Sequence, residues 1–214
     1  MKQAAVLRDP LQAVPTGVSV TEQAEDLSVI HRQDCAATVW TRPSLPSFQS
    51  WIDTLDTEKL PRARIILRPD AVQRTVMQLL DSADIPRCAE RNHLTEDIHA
   101  LAQLFSSIML APYIRLRLDV VQTNACRKFH VDALRARLVC TYRGTGTQLG
   151  IPDPDGEPQC LLTIATGAPI VLRGTKWPEF PRSGLLHRSP PIEGTGETRL
   201  VLVIDPVTDP EMEI

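Results

Sequence analysis

The residues best suited to chemistry lie in the second half of the chain and begin with the short sequence FHVD. His130 and Asp132 are separated by one residue, and His187 follows in GLLHRSPP. On a β-strand, side chains two positions apart leave the same face, so His130 and Asp132 would point together. Imidazole and carboxylate groups both bind divalent transition metals. The pattern therefore predicts a metal site with His130, Asp132 and His187 as ligands.

A simpler interpretation of the same residues stays open. On an exposed strand face, His130 and Asp132 would pair with each other, His187 would be a surface residue, and Arg199 would mark a strand end. A nucleophilic pair of Cys126 and His130 is a further alternative, although it requires an activated thiolate.

The elements that must position these residues are predicted as strands. Short runs that alternate apolar and polar residues, bounded by Gly or Pro, begin at residue 113 and continue almost to the end of the chain. They are YIRLRLDVVQ, ARLVCTYRG, QCLLTIATG, APIVLRGTKW, SGLLHRSP and TRLVLVID. No segment of helix length lies between them, which argues against parallel βαβ units. A jelly roll of antiparallel strands fits this pattern.

Helical periodicity dominates the region before these strands. The runs SLPSFQSWIDTL, PDAVQRTVMQLLDSA and LTEDIHALAQLFSSIML carry apolar residues three and four positions apart. Thr95 is the predicted N-cap of the third helix. The predicted fold class is therefore α+β, with an N-terminal helical segment packed on a C-terminal double-stranded β-helix of the jelly-roll or cupin-like type.

Three regions follow from this change of pattern. Residues 1–43 are predicted as an irregular N-terminal arm with one short strand around 36–40. Residues 44–111 form the helical segment, and residues 112–207 form the jelly-roll domain that carries the metal site. The last two regions are expected to make one compact domain.

Composition narrows the classes of function. The chain has 214 residues, 43% of them hydrophobic, and a formal net charge of −3. Near-neutral charge gives no electrostatic case for nucleic-acid binding, and no run is apolar enough to span a membrane or to serve as a secretory signal. Five cysteines without a CxxC pair fit reduced thiols in a cytoplasmic protein. A homodimer through sheet edges stays open.

An arginine adds to the metal-site pattern. Arg199 begins TRLVLVID, and a guanidinium inside a half-apolar barrel needs an anionic partner, which a carboxylate supplies in bidentate form. The order His130, Asp132, His187, Arg199 resembles the H-x-D…H…R pattern of the Fe(II)/2-oxoglutarate oxygenases, over about residues 112–205. That resemblance implies that the two histidines and the aspartate bind Fe(II), and that Arg199 binds the far carboxylate of 2-oxoglutarate.

A second resemblance covers most of the chain. The words KFHVD, CTYRGTGT, LRGTKW and HRSPP together resemble an uncharacterised bacterial family, a domain of unknown function. The resemblance implies an occurrence near zinc-responsive metallochaperone GTPases and hence a role in metal homeostasis, with Zn(II) as the alternative metal.

Other residues near the predicted site have two interpretations each. TYRGTGTQ is either a hairpin turn or a lid in which Tyr142 or Arg143 contacts a carboxylate of the cosubstrate, so Arg143 competes with Arg199 for that role. Trp177 is either a wall of the substrate site or a residue that caps a loop. Ser189 is expected to face the metal and to support a ligand through a hydrogen bond.

Three functions are consistent with these observations. The first is an Fe(II)- and 2-oxoglutarate-dependent oxygenase that acts on a small-molecule or peptide substrate. The second is a cupin-like zinc-binding protein of metal homeostasis without oxygenase activity. The third is a metal-free β-sandwich interaction module.

Overall fold

A seven-stranded sheet forms the centre of the protein. The computed structural model describes residues 17–153, 158–179 and 183–213. The sheet contains β1 (Val18–Thr21), β2 (Ala37–Trp40), β3 (Ala63–Leu67), β4 (Tyr113–Val121), β5 (Ala136–Arg143), β8 (Ile170–Arg173) and β10 (Arg199–Val207). Their spatial order is β1-β2-β8-β5-β10-β4-β3, and every pair is antiparallel except β1 with β2.

A smaller sheet lies against the central part of the large one. It contains β6 (Gln148–Ile151), β7 (Gln159–Thr163) and β9 (Leu186–Arg188), in the order β7-β6-β9. Apolar side chains of the two sheets form a shared core, contributed by Val39, Val139, Leu149, Leu162, Ile170, Leu172, Val201 and Val203. These residues therefore join the two sheets through an apolar core.

Three helices cover the opposite face of the large sheet. They are α1 (Pro46–Thr54), α2 (Val72–Ser82) and α3 (Ala89–Met109), and short 3-10 helices span Glu25–His31, Thr57–Lys59, Pro69–Ala71 and Pro210–Glu213. Strand residues that alternate with the inter-sheet core pack against these helices, among them Leu116, Leu138, Leu202 and Ile204. The predicted mixed fold, with helices packed on a sheet, is confirmed. Within the described residues, no helix is long and apolar enough to cross a membrane.

The third helix begins earlier than predicted. Cys88 is its N-cap, and the cysteine sulfur accepts a hydrogen bond from the amide of Arg91. Thr95 lies inside the helix, where its hydroxyl donates to the carbonyl of Arg91. Thr95 was predicted as the N-cap, but the capping position is taken by the sulfur of Cys88 rather than by the usual hydroxyl or carboxylate oxygen.

The region predicted as an irregular arm needs a similar correction. Its first 16 residues lie outside the described part of the chain. The remainder contributes two strands to the sheet edge, β1 and β2, and the predicted strand around 36–40 is confirmed as β2. β1 and β3 escape the sequence pattern because they have four and five residues and lie at the two edges, where one side is unpaired.

Candidate metal centre

Two histidines and an aspartate converge at one edge of the small sheet. Each of His130, Asp132 and His187 offers one ligand atom, and these three atoms lie within 4.8 Å of one another. Nε2 of His130 is 3.6 Å from Oδ1 of Asp132, and Nε2 of His187 is 3.1 Å from Oδ2 of the same carboxylate. Two imidazoles and one carboxylate at this spacing can bind one face of a metal ion's coordination sphere.

Backbone pairing holds the two imidazoles together. His130 and His187 exchange both amide–carbonyl hydrogen bonds, each 3.0 Å long, in an isolated antiparallel bridge beside β9. Their ring centroids are 4.5 Å apart. The predicted strand through FHVD is wrong, because this single bridge is its only ladder contact in the described structure and Asp132 lies in the loop after it.

One hydrogen bond orients the His130 ring. Nδ1 of His130 lies 2.8 Å from the carbonyl oxygen of Lys128. Since a carbonyl only accepts, Nδ1 donates in this hydrogen bond, and Nε2 is the ring nitrogen that faces Asp132. A second ring nitrogen fixed in this way is the usual arrangement for a metal-binding histidine.

The loop after β8 holds the backbone that carries Asp132. The amides of Thr175 and Lys176 donate to the carbonyls of Asp132 and Leu134, at 2.9 and 3.0 Å. Gly174 makes this approach feasible, since a Cβ at that position would lie 2.0 Å from the Leu134 carbonyl oxygen. The sequence LRGTKW therefore supports the Asp132 loop through its backbone.

The Asp132 carboxylate is partly buried, and only one of its two oxygens accepts a hydrogen bond. Its Oδ1 accepts a 2.7 Å hydrogen bond from Nη1 of Arg137. Its Oδ2 is buried beside His187 without a hydrogen bond from any described residue. Burial alone would raise the pKa of Asp132, but the neighbouring His187, Arg137 and His130 outweigh it and hold that pKa below its usual value. An ionised oxygen left unpaired between two histidines fits a bound cation, and this is the observation that matches the site to a metal.

A second buried charge faces the same inter-sheet space. Arg199 is 1% exposed, and it alternates on β10 with residues of the helix-side core, so its side chain shares the face of Val201 and Val203. Its Nε donates to the Thr145 carbonyl at 2.6 Å and its Nη2 to the Thr141 hydroxyl at 3.4 Å. Within the described residues no carboxylate pairs with it. Burial lowers the pKa of Arg199 to about 10, an effect that Glu197 only partly offsets.

Tyr142 and Arg143 lie on the other face of the sheet. The Tyr142 hydroxyl donates to Asp97 of α3 at 2.6 Å, and Nη1 of Arg143 donates to the carbonyl of Leu55. Strict alternation would put Arg143 on the same face of the sheet as Thr141. The β5–β10 pairing, however, shifts register between these residues, and the extra residue in β5 turns Arg143 to the other face. Both side chains therefore contact the helical layer and leave Arg199 as the arginine of the inter-sheet space.

The remaining predicted residues support the site only indirectly. Trp177 belongs to the helix-side core, and the guanidinium groups of Arg173 and Arg135 lie 4.4 and 5.7 Å from the centroid of its ring. Of its two interpretations, packing under a loop fits this location. The amide of Ser189 donates to the carbonyl of Cys126, which ties the segment after His187 to the one before His130. Cys126 itself is exposed.

Sequence reasoning missed two residues that contact the site. Arg137 donates to Asp132, and its other two donor nitrogens bind Asp205 at the far end of β10. The signal for them is weak, since a charged residue in an alternating strand is usually taken as solvent-facing. The alternating sequence pattern does not indicate that Arg137 and Asp205 face the interior.

Comparison with known proteins places the chain in a family. Residues 21–205 match the family described as "Protein of unknown function (DUF1826)", so the chain belongs to it. This match confirms the resemblance to a family of unknown function. No curated protein matches the sequence.

Two solved structures with a similar fold are dioxygenases for auxin oxidation. A rice dioxygenase for auxin oxidation matches 92% of this chain and 84% of its own, with 13% identity and a TM-score of 0.52. The complex of Arabidopsis thaliana dioxygenase for auxin oxidation 1 with 2-oxoglutarate matches 92% and 94%, with 9% identity and a TM-score of 0.54. At this identity the likeness concerns the fold. It agrees with the fit of the His130, Asp132 and His187 arrangement to an H-x-D…H pattern.

Proposed function

We propose that this protein is a non-haem Fe(II)- and 2-oxoglutarate-dependent oxygenase, with His130, Asp132 and His187 as metal ligands and Arg199 as the cosubstrate anchor. The observation that carries the proposal is that two charged groups in one inter-sheet space each lack a partner. One is the carboxylate oxygen of Asp132 that has no hydrogen-bond donor, and the other is the Arg199 guanidinium that has no carboxylate.

Strand order supports a double-stranded β-helix for this fold. The four central strands of the large sheet run β8-β5-β10-β4, and the small sheet runs β7-β6-β9 followed by the His130 bridge. Four antiparallel strands that face three strands and one further bridge approach the jelly-roll arrangement of two four-stranded sheets. In this arrangement the proposed ligands come from one edge of the small sheet and Arg199 comes from the large one.

The inter-sheet space suits a dicarboxylic acid. Thr141, which contacts Arg199, and Arg137, which contacts Asp132, are four residues apart on one face of β5, a distance of about 13 Å. Val139, Val201 and Val203 lie between them. A cosubstrate with a keto acid at the metal and a carboxylate at Arg199 would place its methylene groups on these valines, and the apolar floor would exclude water.

Each residue then has a defined part in the reaction. Fe(II) and 2-oxoglutarate, when bound, supply the activation of O₂ and the oxidising equivalents. The three ligands leave the opposite face of the coordination sphere open. Arg199 neutralises the far carboxylate and fixes the orientation of the cosubstrate, because a planar guanidinium binds a carboxylate through two parallel hydrogen bonds.

The test is an anaerobic titration of the metal-free protein with Fe(II) and 2-oxoglutarate. The proposal predicts a metal-to-ligand absorption band that requires both additions, and that Arg199→Gln weakens at a given 2-oxoglutarate concentration. Arg143→Gln is the matched control, since Arg143 ends β5 next to the start of β10 but contacts Leu55. It is expected to leave the band unchanged.

Other outcomes would identify the alternative functions. Absence of the band in the wild-type protein would overturn the oxygenase proposal. Zinc retained by the protein from metal-replete cells and lost in His130→Ala, with no effect of 2-oxoglutarate, would favour metal handling. No metal in either protein, together with unchanged thermal stability of His130→Ala and His187→Ala, would favour a metal-free interaction module.

A further inference from the structure

We infer that Arg137 and Asp205 form a positioning pair that fixes the orientation of the Asp132 carboxylate and determines which of its oxygens faces the metal. The inference rests on the proposed metal site and adds two residues to it. Neither residue is a candidate ligand of the site, because both are engaged with each other.

The guanidinium of Arg137 connects two carboxylates. Its Nε and Nη2 bind Oδ1 and Oδ2 of Asp205 at 2.7 and 2.8 Å, and its Nη1 binds Oδ1 of Asp132 at 2.7 Å. A planar guanidinium that is held at two nitrogens cannot rotate, so the direction of its third donor is fixed as well. Asp205 therefore sets the position from which Arg137 holds Asp132.

The two residues of the pair are anchored in the middle of the large sheet. Ile204 pairs with Leu138 in the β10–β5 register, so Asp205 and Arg137 are neighbours on adjoining strands. The Asp205 side chain is 7% exposed. Asp132, in contrast, lies in a loop that the sheet does not hold directly. Through these contacts the pair links the side chain of Asp132 to two strands of the large sheet.

The consequence is a distinction between the two oxygens of Asp132. Oδ1 is occupied by Arg137, whereas Oδ2 faces Nε2 of His187 at 3.1 Å and has no hydrogen-bond donor. Metal binding through Oδ2 alone keeps the Arg137 contact intact. Without Asp205, Arg137 could turn both terminal nitrogens onto Asp132 and compete with the metal for Oδ2.

Cobalt(II) titration of the full-length metal-free protein tests the pair without any activity measurement. Co(II) affinity and the visible spectrum of the bound ion are recorded for wild type, Asp205→Asn, Arg137→Lys and Arg137→Gln. We expect Asp205→Asn and Arg137→Gln to weaken Co(II) binding about ten- to hundredfold and to change the spectrum, as is usual for residues that orient metal ligands. Arg137→Lys should recover part of the affinity, because it keeps the charge but cannot span both carboxylates.

Asp81→Asn is the matched control. Asp81 also accepts a hydrogen bond from a buried arginine, Arg91, but it lies on α2 among the helices. It should keep wild-type affinity and spectrum. If Arg137→Gln fails to fold, as judged by circular dichroism, Asp205→Asn and Arg137→Lys decide the question, since both retain polar groups in the network.

The outcomes separate this inference from the proposed function. Wild-type Co(II) affinity and spectrum in both Asp205→Asn and Arg137→Lys would overturn the positioning role while leaving the metal site intact. Failure of the wild-type protein to bind Co(II) would overturn the metal site and the positioning role together.

Discussion

The two faces of the large sheet bury arginine and aspartate networks of similar composition but different completeness. On the helix face, Arg42 makes a two-pronged pair with Asp97, donates to the carbonyl of Gly167, and shares Asp97 with the Tyr142 hydroxyl. On the inter-sheet face, Arg199 has no carboxylate partner among the described residues and Asp132 has an oxygen without a donor. One network is closed, and the other leaves two charged groups incompletely paired.

The contrast is visible in two arginine pKa values. Burial tends to lower the pKa of Arg42, but the hydrogen bond and charge of Asp97 outweigh burial and raise it. Burial lowers the pKa of Arg199 to about 10 because Glu197 compensates only in part. A buried charge that lacks an ionic partner costs folding free energy. This cost is the reason for proposing Arg199 as the residue that binds the cosubstrate.

The largest expected effect comes from breaking the closed network. Arg42→Met leaves Asp97 buried without its cationic partner, and we expect a loss of about 3–5 kcal/mol in the free energy of unfolding. Urea denaturation measures this loss. Co(II) affinity of the folded variant should remain that of wild type, since the network lies on the opposite face of the sheet. A stability loss below 1 kcal/mol would show that the two networks are not distinct in this way.

The same substitution in the open network should have the reverse profile. Arg199→Met loses a hydrogen bond to Thr145, at a cost of about 1–3 kcal/mol, but removes an unpartnered buried charge. We expect an unfolding free energy within about 1 kcal/mol of wild type in the absence of ligand. Wild type should gain thermal stability from 2-oxoglutarate with Mn(II), and Arg199→Met should gain much less. Equal gains would remove Arg199 from the cosubstrate site.

A smaller, local change tests the loop that carries Asp132. In Gly174→Ala the new methyl group would lie 2.0 Å from the Leu134 carbonyl oxygen and 2.7 Å from that of Asp132, so the loop must move. We expect about 1–3 kcal/mol of destabilisation and weaker Co(II) binding. Gly184→Ala is the control, because a Cβ there would meet nothing within 4 Å. Unchanged Co(II) binding in Gly174→Ala would mean that the Asp132 loop tolerates displacement.

The smallest effect concerns thiol reactivity on the closed face. Cys140 is buried beside Arg42, and burial raises its pKa to about 12, whereas Cys126 is exposed near the His130 bridge. In native protein at pH 8, iodoacetamide should label Cys126 and leave Cys140 unmodified, as judged by mass spectrometry of peptides. Labelling of Cys140 without unfolding would indicate that the helical layer opens.

The sequence was sufficient for the parts of the fold that depend on local pattern. The alternating strands and the three amphipathic helices were predicted correctly, because each of these elements buries one face and its apolar residues recur with the matching period. The convergence of His130, Asp132 and His187 was also predicted, since it depends on a local H-x-D spacing and one further histidine.

The remainder depends on long-range geometry. Arg137 and Asp205 are 68 residues apart, and nothing in either strand indicates that their charges are buried together. The helix-side position of Arg143 follows from a register shift between β5 and β10, which no single-strand pattern encodes. Sequence pattern thus identified the three candidate ligands and Arg199, whereas Arg137 and Asp205 became visible only in the fold.

The central claim is that the candidate metal centre and Arg199 hold one ligand between them. Calorimetric titration of 2-oxoglutarate into metal-free and Mn(II)-loaded protein tests it most directly. We expect Mn(II) to strengthen 2-oxoglutarate binding, 2-oxoglutarate to strengthen Mn(II) binding by the same factor, and Arg199→Met to abolish most of this coupling. Equal 2-oxoglutarate affinity with and without Mn(II) would show that the metal centre and Arg199 do not share a ligand.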